Sequence, residues 1–258
     1  MFRYTRLFQG KLISDSCGYQ FSVTSGTIFH DSHLPLPKWF AAIYLMIESK
    51  KGISANQMKR TLDIGSYRTA WYLCHRIRAA MNEMNAEQLS NIVEVDETFT
   101  GGKRKNVGHG YKGNKAIVAG AIERGKDVRM QVISSRDRAQ LHEFIRKNIS
   151  PDAKAIYTDE WPAYKGIADE NTKHETVNHS ADEWTHGDVH TNSVENVWSL
   201  FKRSIVGSYH KLSIKHLDAY LDELEWRFNN RDNPFLFRDT LLKLIKSDNL
   251  TYKELIVA

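Results

Sequence analysis

The chain has 258 residues, of which 41% are hydrophobic and 26% are charged, so it can bury one large core or two smaller ones. It has no run of about 18 consecutive apolar residues, and MFRYTRLFQGKL at its N-terminus lacks the apolar stretch of a secretory signal. Its two cysteines, Cys17 and Cys74, make no disulfide framework and suit a reducing compartment, so we expect a cytoplasmic protein.

The net charge of +5 comes entirely from the N-terminal third of the chain. Residues 1–92 hold 11 Lys and Arg against 6 Asp and Glu, whereas residues 93–258 hold 25 of each kind. This asymmetry, with a pI near 9, indicates a nucleic-acid partner, although many basic proteins bind none.

Residues 36–84 have helical periodicity. An apolar helix begins at Leu36, a short one follows Ser54, and a third spans residues 67–81 after a glycine. Two short helices joined near a glycine predict either a helix-turn-helix or a small helical bundle. The third helix carries three arginines expected on its surface: Arg68, Arg76 and Arg78.

From residue 91 the pattern changes to alternation, which predicts strands. The predicted strands are 91–99, 115–123, 128–134, 153–161 and, more weakly, 174–180; the predicted helices are 138–149, 189–207, 213–229 and 235–247. This order indicates a mixed α/β fold with helices flanking a mixed sheet. The loop holding Lys103, Arg104 and Lys105 is either a phosphate contact or a solvated hairpin.

Two predicted strands carry an Asp-Glu pair, at Asp96 and at Asp159, 63 residues apart. Neighbouring residues of a strand point to opposite faces, so only one member of each pair can face a shared site. Val93 and Val95 put Glu97 on the apolar face, which favours the aspartates as site residues.

The helix VHTNSVENVWSLFKRSIVG has a polar stripe beside its apolar sector, made of Asn192, Glu195, Ser199 and Lys202. Asn192 and Glu195 also fit a capping box, which would explain both residues without chemistry. With the two aspartates, however, Glu195 supplies oxygen ligands from three elements, which suits Mg²⁺ or Mn²⁺ better than zinc.

The segments EVDETFTGGKRK, IYTDEWPAY and HTNSVENVWSLFKRSIVG resemble the catalytic motifs of DDE transposases of bacterial insertion sequences, of the insertion sequence 1595 type. The segments FSVTSGTIFHDSHLPLPKWFAAIYLM and KKGISANQMKRTLDIGSYRTAWYLCHRIRAAM resemble the region that precedes the core in the same family.

The resemblance implies an RNase H-like core with a mixed five-stranded sheet. Asp96, Asp159 and Glu195 would be catalytic and would bind Mg²⁺ or Mn²⁺, with Lys202 as a basic catalytic residue and Asn192 as a secondary metal ligand. The implied activity is DNA cleavage at transposon ends followed by strand transfer into target DNA. Double-stranded DNA is then the partner, bound by a homodimer or larger assembly, with base contacts from Arg68, Arg76 and Arg78.

The sequence departs from the family at its N-terminus. Relatives begin with a zinc ribbon of two Cys-x-x-Cys pairs, whereas this chain has only Cys17 of the second pair, with Ser14 in its partner's place. We therefore expect no structural zinc. An inactive DNA-binding descendant and an RNase H-like nuclease or resolvase stay open as alternatives.

The expected domains are a ribbon remnant at 1–34, a helix-turn-helix region at 35–85, a catalytic core at 90–210 and a helical extension at 211–258.

Overall fold

The computed structural model describes residues 4–8, 11–14, 17–22, 24–83, 86–101, 115–167, 172–177 and 190–257. The chain divides into two compact units. The first contains residues 1–46, 55–81 and 235–258, and the second contains residues 47–54 and 82–234. The domain boundaries expected from the sequence stay a prediction.

The first unit combines a small antiparallel sheet with helices. Its strands, in the order β1-β2-β3, are β1 (Tyr4–Phe8), β2 (Lys11–Ser14) and β3 (Gln20–Phe21). Its helices are α1 (Leu36–Glu48), α2 (Ala55–Thr61), α3 (Tyr67–Met81), α7 (Leu236–Lys246) and α8 (Tyr252–Val257). The sequence analysis did not predict the three short strands or α8.

The predicted pair of short helices is present as α2 and α3. The turn between them uses a left-handed residue, Asp63, whose φ is 48°. Ser66 then precedes α3, and its Oγ accepts a 3.4 Å hydrogen bond from the Thr69 amide, as expected of a residue that starts a helix. Both helices bury apolar side chains, among them Met58, Leu73 and Ile77.

The second unit is built on a mixed five-stranded sheet in the order β6-β5-β4-β7-β8. The strands are β4 (Ile92–Thr100), β5 (Ala116–Glu123), β6 (Val128–Ile133), β7 (Ala155–Asp159) and β8 (Lys173–Val177). β5 is antiparallel to both of its neighbours, whereas β4, β7 and β8 run parallel. The predicted mixed α/β fold with a mixed five-stranded sheet is confirmed.

Three helices cover the two faces of this sheet: α4 (Arg138–Asn148), α5 (Asn192–Ser204) and α6 (Leu217–Asn229). The face of β4 that holds Val93 and Val95 packs under α4, against Leu141 and Phe144. On the other face, apolar side chains of β5 and β6 pack against α5 and α6. The sheet is therefore buried on both sides, and its polar side chains stand out as exceptions.

The edge strand β6 is covered by polar side chains of α6. Asn229 Oδ1 accepts a 2.8 Å hydrogen bond from the Val128 amide, and a Glu225 carboxylate oxygen accepts one from the Met130 amide. Asp218 accepts a third bond, from the amide of Val132, at 3.2 Å. Because these amides alternate along the outer edge, α6 blocks further strand addition there.

No helix within the described residues is long and apolar enough to span a membrane.

Candidate functional site

Asp96 and Asp159 lie at equivalent positions on neighbouring parallel strands. Glu94 of β4 pairs with Tyr157 of β7, and each aspartate comes two residues after its member of that pair. Because side chains alternate along a strand, both aspartates share the face of Glu94, which is the face that α5 covers. The structure thus brings together the two aspartates chosen from the sequence.

Asp96 is largely buried, and few protein groups donate hydrogen bonds to its carboxylate. Trp198 of α5 donates its indole N–H to Asp96 Oδ2 at 2.9 Å. Burial nevertheless raises the pKa of Asp96 to about 7, and the negative charges of Glu97 and Asp159 add to that rise. A buried carboxylate without enough compensating charge is a common feature of functional sites.

A glycine makes room for this contact. Gly120 of β5 lies directly opposite Asp96 in the sheet, and a Cβ there would lie 2.5 Å from Cη2 and Cζ2 of Trp198. The indole therefore occupies the space that a side chain at position 120 would fill. The missing side chain lets Trp198 reach Asp96.

Asp159 ends β7 and is only partly buried. Its Oδ1 accepts a 3.0 Å hydrogen bond from the backbone amide of Trp161, which fixes the carboxylate against the turn that follows the strand. Among the described residues, no Lys, Arg or His forms an ion pair with Asp96 or Asp159.

The N-terminus of α5 is held by Glu94, a fully buried residue of β4. Glu94 Oε2 accepts hydrogen bonds from the amides of Ser193 at 2.7 Å and Val194 at 3.1 Å, while Oε1 accepts one from Arg124 Nε at 2.7 Å. A carboxylate at this end of a helix satisfies free amides and complements the helix dipole. The strand that carries Asp96 thereby fixes the start of the helix that carries Glu195.

The capping box considered for Asn192 and Glu195 is not formed. Thr191 is the N-cap and its side chain makes no capping bond. The Glu195 carboxylate instead accepts a 3.3 Å hydrogen bond from the Thr191 hydroxyl. Glu94 accepts the amide hydrogen bonds that a capping side chain would otherwise accept. The sequence of the helix alone could not reveal this contact.

Glu195, Asn192 and Lys202 are all exposed on α5. Glu195 lies one turn before Trp198, at about 60° from it around the helix axis. This places Glu195 beside the sector of α5 that contacts Asp96. The carboxylates of Asp96, Asp159 and Glu195 do not, however, form one cluster. In the described part of the chain, no three Asp, Glu, His or Cys side chains form a group that could hold a metal ion.

The donor set nevertheless fits a hard divalent cation. Two carboxylates share one face of the sheet without a cationic neighbour among the described residues, and a third is exposed on the helix above them. Mg²⁺ and Mn²⁺ prefer such oxygen ligands, and a bound cation would supply the compensating charge that Asp96 lacks. Asp96, Asp159 and Glu195 are therefore the residues that would hold it, with Asn192 close by in sequence.

Glu97 points to the opposite face of β4, where the sequence placed it. Tyr164 donates its hydroxyl to Glu97 Oε2, and Arg136 donates to Oε1 at 3.2 Å. Burial raises the pKa of Glu97, while these two partners lower it. Glu97 therefore stabilises the packing under α4 and does not share the face of Asp96.

The prediction that Arg76 and Arg78 lie on the surface is wrong. Arg76 is 3% exposed and Arg78 is 1% exposed. Arg76 donates to the His30 carbonyl at 2.8 Å and to Asn249 Oδ1 at 2.5 Å, and its guanidinium lies 5.1 Å from the centre of the Trp39 ring. A buried guanidinium is stable where acceptors surround it, as the His30 carbonyl and Asn249 do for Arg76. We withdraw both as DNA contacts.

Arg68 is exposed and stacks on Tyr252, with 4.1 Å between the guanidinium carbon and the ring centre. Lys103, Arg104 and Lys105 lie outside the described residues. Cys17 is exposed, while the Ser14 side chain is outside the described set. The expectation of no structural zinc stays a prediction.

Sequence reasoning missed Glu94, Gly120 and Trp198. Glu94 did have a signal, since it stands two residues before Asp96 and must share its face. Trp198 falls in the apolar sector of its helix, where the pattern gives no sign that its indole N–H acts as a donor.

Comparison with known proteins gives a consistent result. Residues 88–229 match the family described as the ISXO2-like transposase domain. The chain is 27% identical over 238 residues to an uncharacterized protein in transposable element ISH50 of Halobacterium salinarum, covering 86% of this chain and 79% of that protein. It is 30% identical over 101 residues to an uncharacterized transposase-like protein of Haemophilus influenzae, covering 39% of this chain and 80% of that one.

Among solved structures, the catalytic core domain of BIV integrase aligns with 52% of this chain and 82% of its own, at 16% identity and a TM-score of 0.37. The Mos1 strand transfer complex aligns with 84% of this chain and 78% of its own, at 12% identity and a TM-score of 0.35. The matched domain spans more than half of the chain and contains Asp96, Asp159 and α5. The chain belongs to the ISXO2-like transposase family.

Proposed function

We propose that this protein is a DNA transposase that cleaves a phosphodiester at each end of its element and then joins that end to target DNA. Asp96, Asp159 and Glu195 would form its active site with Mg²⁺ or Mn²⁺. One observation carries the proposal: two aspartates stand side by side on the face that α5 covers, buried or half-buried, with no cationic partner among the described residues.

The cation, when bound, would assist activation of the nucleophile and offset the negative charge of the phosphodiester during displacement. The chain's own residues prepare the place for it. Trp198 donates a hydrogen bond to one oxygen of Asp96. The Trp161 amide orients Asp159, and Glu94 fixes the first turn of α5 near Glu195.

Basic side chains would hold the DNA. Lys202 lies two turns beyond Glu195 on the same stripe of α5 and is exposed, so it can contact a phosphate next to the cleaved bond. Of the three arginines predicted to contact DNA from α3, Arg68 is the exposed one. The excess of basic residues in the N-terminal third supports DNA as the partner.

The test uses a DNA duplex that ends in the inverted repeat flanking the gene, together with a supercoiled target plasmid. With Mg²⁺ or Mn²⁺ we expect a nick that frees a 3′ hydroxyl, followed by joining of that end to the plasmid. Asp159→Asn should bind the duplex without cutting it. Asp152→Asn, at an exposed turn of the same unit, is the matched control and should react like the wild type.

Each alternative has its own outcome in this assay. Cutting without joining would identify a nuclease or resolvase, and binding without cutting would identify an inactive DNA-binding descendant. Either result would overturn the proposed function.

A further inference from the structure

Two exposed aromatic rings enclose an arginine where β4 and β7 diverge. Trp161 is 39% exposed and Phe99 is 46% exposed. The guanidinium of Arg136 lies 4.1 Å from the centre of the Trp161 ring system and 5.3 Å from that of Phe99. We call these three residues the aromatic clamp.

The clamp is fixed in place by polar contacts. Trp161 donates its indole N–H to the Arg136 carbonyl at 3.2 Å. Arg136 is anchored in turn by Glu97, whose side chain is 2% exposed and also accepts the Tyr164 hydroxyl. Two large apolar surfaces are therefore held open to solvent by buried groups, an arrangement that packing of the core does not require.

The clamp adjoins the aspartate pair. Trp161 follows Asp159 by two residues, and its backbone amide donates to the Asp159 carboxylate at 3.0 Å. Phe99 follows Asp96 by three residues on the same strand and lies on the opposite face. The clamp therefore lies at the end of the site and not between the carboxylates. A nucleotide next to the reacting one would lie at this end.

We propose that the aromatic clamp binds an unpaired nucleobase of the DNA strand, next to the phosphodiester held at Asp96 and Asp159. This inference rests on the proposed function, since it takes DNA as the substrate. Exposed aromatic rings stack on bases of any sequence, and arginine adds cation–π attraction and favours a strand with phosphates. The clamp would hold the strand in register while the neighbouring phosphodiester reacts.

The test uses the full chain and a single-stranded oligonucleotide of about 12 nucleotides containing 2-aminopurine, without divalent metal. Stacking on an aromatic ring quenches 2-aminopurine fluorescence, which a purely structural contact would not do. We expect quenching by the wild type. For Trp161→Ala we expect loss of quenching and roughly 5- to 150-fold weaker binding, the range that one aromatic–base stack provides. Trp161→Tyr, which keeps a ring, should retain most of both signals.

Phe235→Ala is the matched control, because Phe235 is also exposed and stacked by an arginine, Arg238, but belongs to the other unit. It should bind like the wild type. Unchanged quenching and affinity in Trp161→Ala would overturn the proposal, as would equal loss in Phe235→Ala. If the wild type quenches but never cleaves, the proposed function fails and the base site stands. If Trp161→Ala matches wild-type quenching while the wild type still cleaves, only the base site fails.

Discussion

Glu94 and Asp96 stand two residues apart on the same face of β4, yet their surroundings are opposite. Glu94 accepts hydrogen bonds from two amides of α5 and from Arg124. Asp96 has the Trp198 indole and a neighbouring amide, and its pKa rises to about 7 because burial outweighs them. An acid whose oxygens are all satisfied by protein donors holds the fold, whereas one with unused acceptor capacity is available to a cation.

The largest effect should come from Asp96→Asn. The amide keeps an acceptor for Trp198 but removes the charge that would bind a cation, so cleavage of end DNA should fall roughly a thousandfold. Binding of the uncut duplex should change little. A folded variant that cleaves like the wild type would show that Asp96 has a structural role, like Glu94, and not a catalytic one.

Removing Glu94 should instead weaken the fold. Glu94→Ala removes the buried carboxylate that accepts a hydrogen bond from Arg124 and from two amides of α5. A loss of about 3–5 kcal/mol in unfolding free energy follows from breaking such a buried pair. Glu94→Gln, which retains an acceptor, should lose less. Chemical denaturation measures the unfolding free energy of both variants. A loss of cleavage with unchanged stability would contradict the structural role given to Glu94.

Glu225 tests whether burial alone marks a functional acid. Burial raises the pKa of Glu225 to about 8, but this residue accepts the Met130 amide at the edge of β6 and lies outside the site. A raised folded-state pKa means that its stabilising contribution is present at low pH and is lost as pH rises through about 8.

Glu225→Gln does not titrate, so its stability relative to the wild type should increase by on the order of 2 kcal/mol as pH rises from about 6 to about 8, and should level off above pH 8. Thermal unfolding of both proteins between about pH 6 and pH 9 measures this difference. Cleavage at neutral pH should be unaffected. A difference that shrinks as pH rises would show that the carboxyl is stabilised in its charged form.

Trp198→Phe should lower cleavage less than Asp96→Asn does. Phenylalanine keeps an aromatic ring in the packing of α5, but it lacks the outer indole atoms that lie over Gly120 and the N–H donor to Asp96. A hydrogen bond to a charged group contributes about 1.5–3 kcal/mol, so cleavage should fall roughly 10- to 150-fold. Trp198→Phe should also shift the Mn²⁺ concentration needed for half-maximal cleavage, whereas a purely structural change would lower the rate at every concentration.

The sequence was sufficient for the parts of the fold that local periodicity determines. Alternation along residues 91–99 located β4 and assigned Glu97 to the face of Val93 and Val95. The five strands of the large sheet and the helix that carries Glu195 were predicted from the same kind of pattern. The aspartate pair followed from the family resemblance and the strand faces together.

Long-range contacts could not be predicted in this way. Glu94 meets the Ser193 amide across 99 residues of sequence, and no local pattern encodes that contact. The burial of Arg76 depends on acceptors at His30 and Asn249, from distant parts of the chain. A helical wheel assigns an arginine to the surface by its charge, but internal acceptors decide where it lies.

The central claim is that Glu195 completes a metal-dependent site with the two aspartates. Its most direct test is the rate of Mn²⁺-dependent nicking of end DNA by Glu195→Gln, measured beside Asn192→Ala and the wild type. Both side chains are exposed on the first turn of α5, so neither change should disturb the core. Loss of nicking in Glu195→Gln, with most of the rate retained in Asn192→Ala, is the predicted result. Normal nicking by Glu195→Gln would contradict the account.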